Sequence, residues 1–63
     1  MTEYKVIELA VVTDETIEKA LNLWIKENWL FDQIHFVVRD NSRRPSMAFM
    51  IFVRETPETQ EVH

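Results

Sequence analysis

Apolar and polar residues alternate in two stretches of this chain, follow a helical period in a third, and give way to a nearly unbroken apolar run in a fourth. Residues 3–12, EYKVIELAVV, put Lys5, Ile7, Leu9 and Val11 on one side and Tyr4, Val6, Glu8 and Ala10 on the other, which predicts a first strand. TDET at 13–16 supplies an N-cap in Thr13 or Asp14 and sets Asp14 and Glu15 at the positive end of a helix dipole. Ile17, Ala20, Leu21, Trp24 and Ile25 then recur at i, i+3, i+4, i+7 and i+8, one continuous apolar stripe. Glu15, Glu18, Lys19, Asn22 and Lys26 fall toward water, and Leu23 lies off the stripe. The helix is expected to stop at Glu27-Asn28-Trp29. A left-handed C′ position suits glycine best and asparagine next, and the chain has no glycine, so Asn28 takes that place.

A second strand at 30–39, LFDQIHFVVR, alternates Ile34, Phe36 and Val38 against Gln33, His35, Val37 and Arg39. A third at 46–55, SMAFMIFVRE, is apolar on both sides: Met47, Phe49, Ile51 and Val53 against Ala48, Met50 and Phe52. Such a strand belongs in the middle of a sheet. The expected fold is α+β with element order β-α-β-β. It has a three-stranded antiparallel sheet in order 1-3-2, with one helix on one face, because a crossover from strand one to strand two leaves a gap that strand three fills. Residues 1–55 form the single domain, and 56–63, acidic and interrupted by Pro57, read as a disordered tail. One helix covers one face only. The other is expected to carry Tyr4, Val6, His35, Val37, Ala48, Met50 and Phe52, or their alternates, as a self-association face, most simply in a two-fold homodimer.

Composition sharpens this. A chain of 63 residues buries only roughly 60% of the surface its unfolded form exposes, and small domains compensate with disulfides, a metal or a partner subunit. With no cysteine and only His35 and His63 as imidazoles, neither a disulfide nor a zinc site is expected, and no cofactor is implied. Oligomerisation remains. The net charge of −4 disfavours nucleic acid, whose binding rests on Lys and Arg neutralising phosphates. No apolar run approaches the ~18 residues a span needs, and the N-terminus lacks a basic leader region, so a soluble cytoplasmic protein is expected.

The segment RDNSRRPS, 39–46, is first a hairpin turn, since Asp, Asn and Ser concentrate where backbones reverse and Pro45 ends the loop before pairing resumes. Its second reading is an anion contact: Arg39, Arg43 and Arg44 against Asp40 make a positive segment that fits an acidic protein partner. RRPS also matches a basophilic kinase pattern around Ser46, a short motif that arises readily by chance. The alternative function class is nucleic-acid or small-ligand binding in a dimer groove beside the Arg39–Arg44 hairpin, with Tyr4, Phe31 and Phe52 as outward rings on which bases stack. No enzyme is expected. Asp32 and His35 point to opposite faces of a strand, no nucleophile elbow is present, and a glycine-rich phosphate loop has no glycine to use. Trp24 and Trp29 read as core, and His35 as a polar residue at the dimer seam that confers sensitivity to pH.

Glu3-Tyr4-Lys5-Val6, then Ala20-Leu21-Asn22-Leu23, then Glu27-Asn28-Trp29-Leu30 resemble a family of small bacterial domains of unknown function with the pattern E-Y-K-V, L-N-x-L-G, E-G-W-E-L and a strand hairpin. The resemblance covers the first half of the chain. Trp24 and Ile25 stand where that family favours small residues, and Asn28 replaces its glycine. It implies the β-α-β-β fold and no catalytic residue. Small tautomerases share the length and the opening unit, but their base is an N-terminal proline and residue 2 here is Thr. The function expected from the sequence is that of a non-catalytic interaction or assembly module.

Overall fold

The computed structural model describes residues 1–39 and 43–56. Chain order is β1 (Thr2–Leu9), α1 (Asp14–Lys26), β2 (Leu30–Val37) and β3 (Met47–Glu55), and the strands lie in the order β1-β3-β2. Both outer strands run antiparallel to β3. The expected α+β architecture is therefore present, with the doubly apolar strand at the centre. Each strand is shorter than the alternation suggested: β1 ends at Leu9 and β2 at Val37.

The helix begins on Thr13. Its hydroxyl accepts from the Thr16 N–H at 3.1 Å while the Thr16 hydroxyl accepts from the Thr13 N–H at 3.0 Å, a reciprocal cap that satisfies two amide donors. The other end closes on Asn28, whose φ of 72° is the left-handed conformation the missing glycines left to it. Its N–H donates to the Ile25 carbonyl and the Trp29 N–H to the Trp24 carbonyl, both at 3.0 Å, the Schellman pattern. Trp29 then folds back under the helix and is 7% exposed.

The core lies between α1 and one face of the sheet. Ala20, Trp29, Met50 and Phe52 form its buried centre, with Ile7, Leu9, Ile17, Leu21, Trp24 and Ile34 packed around them. Ile25 is exposed, although the stripe included it: at 100° per residue it lies about 90° from the stripe's centre. The register explains the choice of face. Lys5, Ile7 and Leu9 stand opposite Phe52, Met50 and Ala48, so all six point toward the helix.

This overturns part of the expected open face. Ala48, Met50 and Phe52, expected there with Tyr4 and Val6, are all fully buried on the helix side of the sheet. Tyr4 and Val6 pair instead with Val53 and Ile51. A strand apolar on both sides carries no sign of which side faces in, and only pairing with β1 decides it.

Candidate functional site

On the face away from the helix, cross-strand partners line up in rows because paired residues project to the same side. Tyr4, Val53 and Leu30 make one row; Val6, Ile51 and Gln33 the next; Glu8, Phe49 and His35 the third; Met47 and Val37 the last. Tyr4, Val6 and Leu30 are 65%, 60% and 66% exposed, Val37 is exposed, and Met47, Phe49, Ile51 and Val53 are half-buried only by their neighbours. Of the seven residues expected here, Tyr4, Val6, His35 and Val37 are in place.

Met47, Phe49, Ile51 and Val53 are the alternates that the sequence pattern leaves open, and Leu30 is the member it misses. Leu30 was hidden by a register shift between Phe31 and Gln33 that leaves Asp32 as an extra residue. The shift exchanges faces: Leu30 turns outward and Phe31 inward. Phe31 meets Phe52 edge-on, with ring centroids 5.8 Å apart and planes at 72°. Phe52 is fully buried, which corrects the expectation that its ring faces outward; Phe31 is exposed but on the helix side of the sheet, and Tyr4 alone of the three lies on the open side.

At the Trp29 end of the core a second group of side chains converges. Lys5 Nζ lies 4.6 Å from the Trp24 ring centre and 5.2 Å from that of Trp29, and the Arg54 guanidinium carbon lies 4.1 Å from the Trp29 ring centre. Arg54 donates from Nε and Nη2 to Glu3 Oε1 at 3.2 and 3.1 Å across the β1–β3 ladder. This explains how Lys5 occupies the helix side of a sheet: its stem covers apolar surface and its charge rests on indole faces. Both tryptophans serve the core, as their positions implied.

Arg39, Arg43 and Arg44 are exposed at the end of the β2–β3 hairpin, whose residues 40–42 lie outside the described residues. Arg44 lines a cavity of about 470 Å³ with Val12, Thr13, Asp14, Ile17, Phe36 and Pro45. Ser46 closes the hairpin: its N–H donates to the Val37 carbonyl at 2.8 Å and its hydroxyl to the same oxygen at 3.2 Å. The seryl hydroxyl of RRPS thus helps to hold the turn.

At the opposite end of the sheet Thr56 belongs to the β1–β3 pairing rather than to a tail. Its N–H and hydroxyl each donate to the Met1 carbonyl at 2.9 Å, and the Met1 ammonium donates to the Thr56 carbonyl at 2.7 Å. Residues 57–63, expected to be disordered, lie outside the described residues. The Thr2 hydroxyl donates to Glu55, and the Met1 ammonium sits 3.5 Å from the same carboxylate. The Thr2 hydrogen bond, aided by that ammonium, holds the Glu55 carboxyl below its ordinary value. Among the described residues no helix is long and apolar enough to cross a membrane.

No family model, curated protein or solved structure matches this chain, so its own geometry must carry any functional reading.

Proposed function

We propose that this chain is a non-catalytic assembly module that associates with a second copy of itself through the open face of its sheet. The observation that carries the reading is the apolar set of Tyr4, Val6, Leu30, Val37, Met47, Phe49, Ile51 and Val53 on one unroofed side. Contiguous apolar surface of this kind on a small domain marks an interaction site. The energetics agree. Only Ala20, Trp29, Ala48, Met50 and Phe52 are buried among the described residues, a small core for a chain that has neither disulfide nor described metal cluster. Burying the central strand's second side adds about 1.5–3 kcal/mol for each large apolar residue fully removed from water.

Sedimentation equilibrium tests it. The wild-type chain is expected at twice its 7.6 kDa mass at micromolar concentration, and Val6→Lys, which alters an exposed side chain, at the single-chain mass with unchanged far-ultraviolet circular dichroism. A wild-type chain that stays monomeric at high concentration discards the proposal. The hairpin arginines support a narrower second role, contact with an acidic protein surface. Arg43→Glu with Arg44→Glu is expected to abolish capture of such a partner and to leave the sedimenting mass unchanged.

A further inference from the structure

We infer that the two copies pack sheet on sheet about a two-fold axis running along β3, so that β1 of each copy lies over β2 of the other and Glu8 meets His35 of the second copy. This arrangement rests on the self-association proposed above and specifies it.

Pairing at a sheet edge is the competing geometry, and both edges carry features that oppose it. On β1, Lys5 places a cation on the covered side in mid-strand, 4.6 Å from the Trp24 ring centre. On β2, the register shift leaves Asp32 unpaired and interrupts the regular edge. Inward-pointing charges and bulges are the devices by which natural sheets prevent edge-to-edge growth. The open face has no such guard in mid-strand: Glu8 and His35 share one row with Phe49 between them, and Glu55 stands at the far end of β3 beside Thr2, 3.5 Å from the Met1 ammonium.

Symmetry then limits the options. Face-to-face packing requires the two-fold to lie in the plane between the sheets. If it runs along β3, every row meets itself reversed: Glu8 opposes His35, Tyr4 opposes Leu30, Val6 opposes Gln33, and Phe49, Ile51 and Glu55 oppose their own copies, the Glu55 carboxylate at the end of the strand being countered by the Met1 ammonium 3.5 Å away. No sliding along the strands is open to this arrangement, because rotation about a strand-parallel axis preserves height. If the axis instead crosses the strands, β1 lies over β1. Glu8 then faces Val6, Tyr4 or another Glu8 according to register, and His35 faces Gln33, Leu30 or another His35. Only the first arrangement pairs a carboxylate with an imidazole, and it does so twice.

Stacked sheets sit about 10 Å apart, within the combined reach of a Glu and a His side chain. The usual rotation of about 30° between them offsets the outer strands by only about 2.5 Å, less than one residue's rise. Both pairs fall on the outer strands, at the rim, where charge complementarity selects orientation more than it adds affinity.

A charge-reversal cycle followed by sedimentation equilibrium tests the arrangement. Both side chains are exposed, so each variant is expected to keep the wild-type circular dichroism. His35→Glu sets two carboxylates against each other and is expected to weaken dimerisation about tenfold or more; Glu8→Lys weakens it less, and the double variant returns to within about threefold of wild type. A wild-type dimer in which the double variant shows only the sum of the single losses, or in which neither substitution matters, overturns this geometry and leaves self-association standing. A dimer lost on Leu23→Lys, in the apolar groove between α1 and β1, moves the interface there and overturns it as well. A monomeric wild-type chain removes both proposals.

Discussion

Asn28 shows how a missing residue type is felt at a single position. With no glycine in the chain, the left-handed C′ site falls to asparagine, whose Cβ makes that conformation costlier than it is for glycine. Asn28→Gly is therefore expected to raise unfolding stability by about 0.5–1 kcal/mol, and Asn28→Val to lower it by about 1–2 kcal/mol, in urea denaturation. An unchanged midpoint for both would mean that the Schellman hydrogen bonds contribute nothing to holding Trp29 in place. Glu55 offers a test by pH. A carboxyl held below its ordinary value stabilises the fold above the unfolded-state value, and that contribution disappears as pH falls through the folded-state value. Removing the larger cause with Thr2→Val should move the Glu55 titration upward in a carboxyl-detected NMR experiment and shift acid unfolding slightly to higher pH. A titration identical to wild type would assign the effect to the Met1 ammonium instead.

The elements differ in how openly their sequences declared them. The helix was fully legible: Thr13 caps it, the stripe sets its buried side and Asn28 ends it. Its 3.6-residue period allows one inward face, which Ile25 missed only by lying at the stripe's margin. Strand β2 was legible from Gln33 to Val37, where alternation gives the right sides, and illegible before that. One extra residue at Asp32 reverses Leu30 and Phe31, and an exposed Asp in an edge strand has no signature that separates a bulge from regular pairing. Strand β3 declared its central place but not its orientation. The buried side of β3 can be tested by comparing its two faces. Phe52→Ala is expected to cost about 3–5 kcal/mol, enough to unfold most of a domain this small, whereas Val53→Ala, on the open side, should cost the isolated chain well under half as much. Equal losses in thermal melts at low micromolar concentration would contradict the orientation of β3.

For the whole molecule the deciding relation is between a small core and a broad unroofed face. Thirteen helical residues roof one side of three strands, and nothing described roofs the other. The candidate face was legible as a need before it was legible as a list of residues. Counting one helix against a strand apolar on both sides already implies an uncovered apolar face, and Tyr4, Val6, His35 and Val37 lie on that side of the sheet, as expected. Its central residues were exchanged for those of the core because register, not composition, selects between them. The anion-contact reading of the hairpin rests on sequence proximity; the tertiary structure adds that Arg44 lines a cavity at the N-terminal end of α1 with Thr13 and Asp14.

Local patterns were enough to determine which segments become strands and helix, how the helix is capped, and which strand lies in the middle. Each of these depends on spacing, propensity or one residue's backbone freedom, quantities carried along the chain. The tertiary structure alone decided which side of β3 meets the helix, which way Leu30 and Phe31 turn, and that Lys5 rests on two tryptophans. Those outcomes follow from contacts between residues about twenty to fifty positions apart, and a register displaced by one residue would reverse every face while leaving the local pattern unchanged.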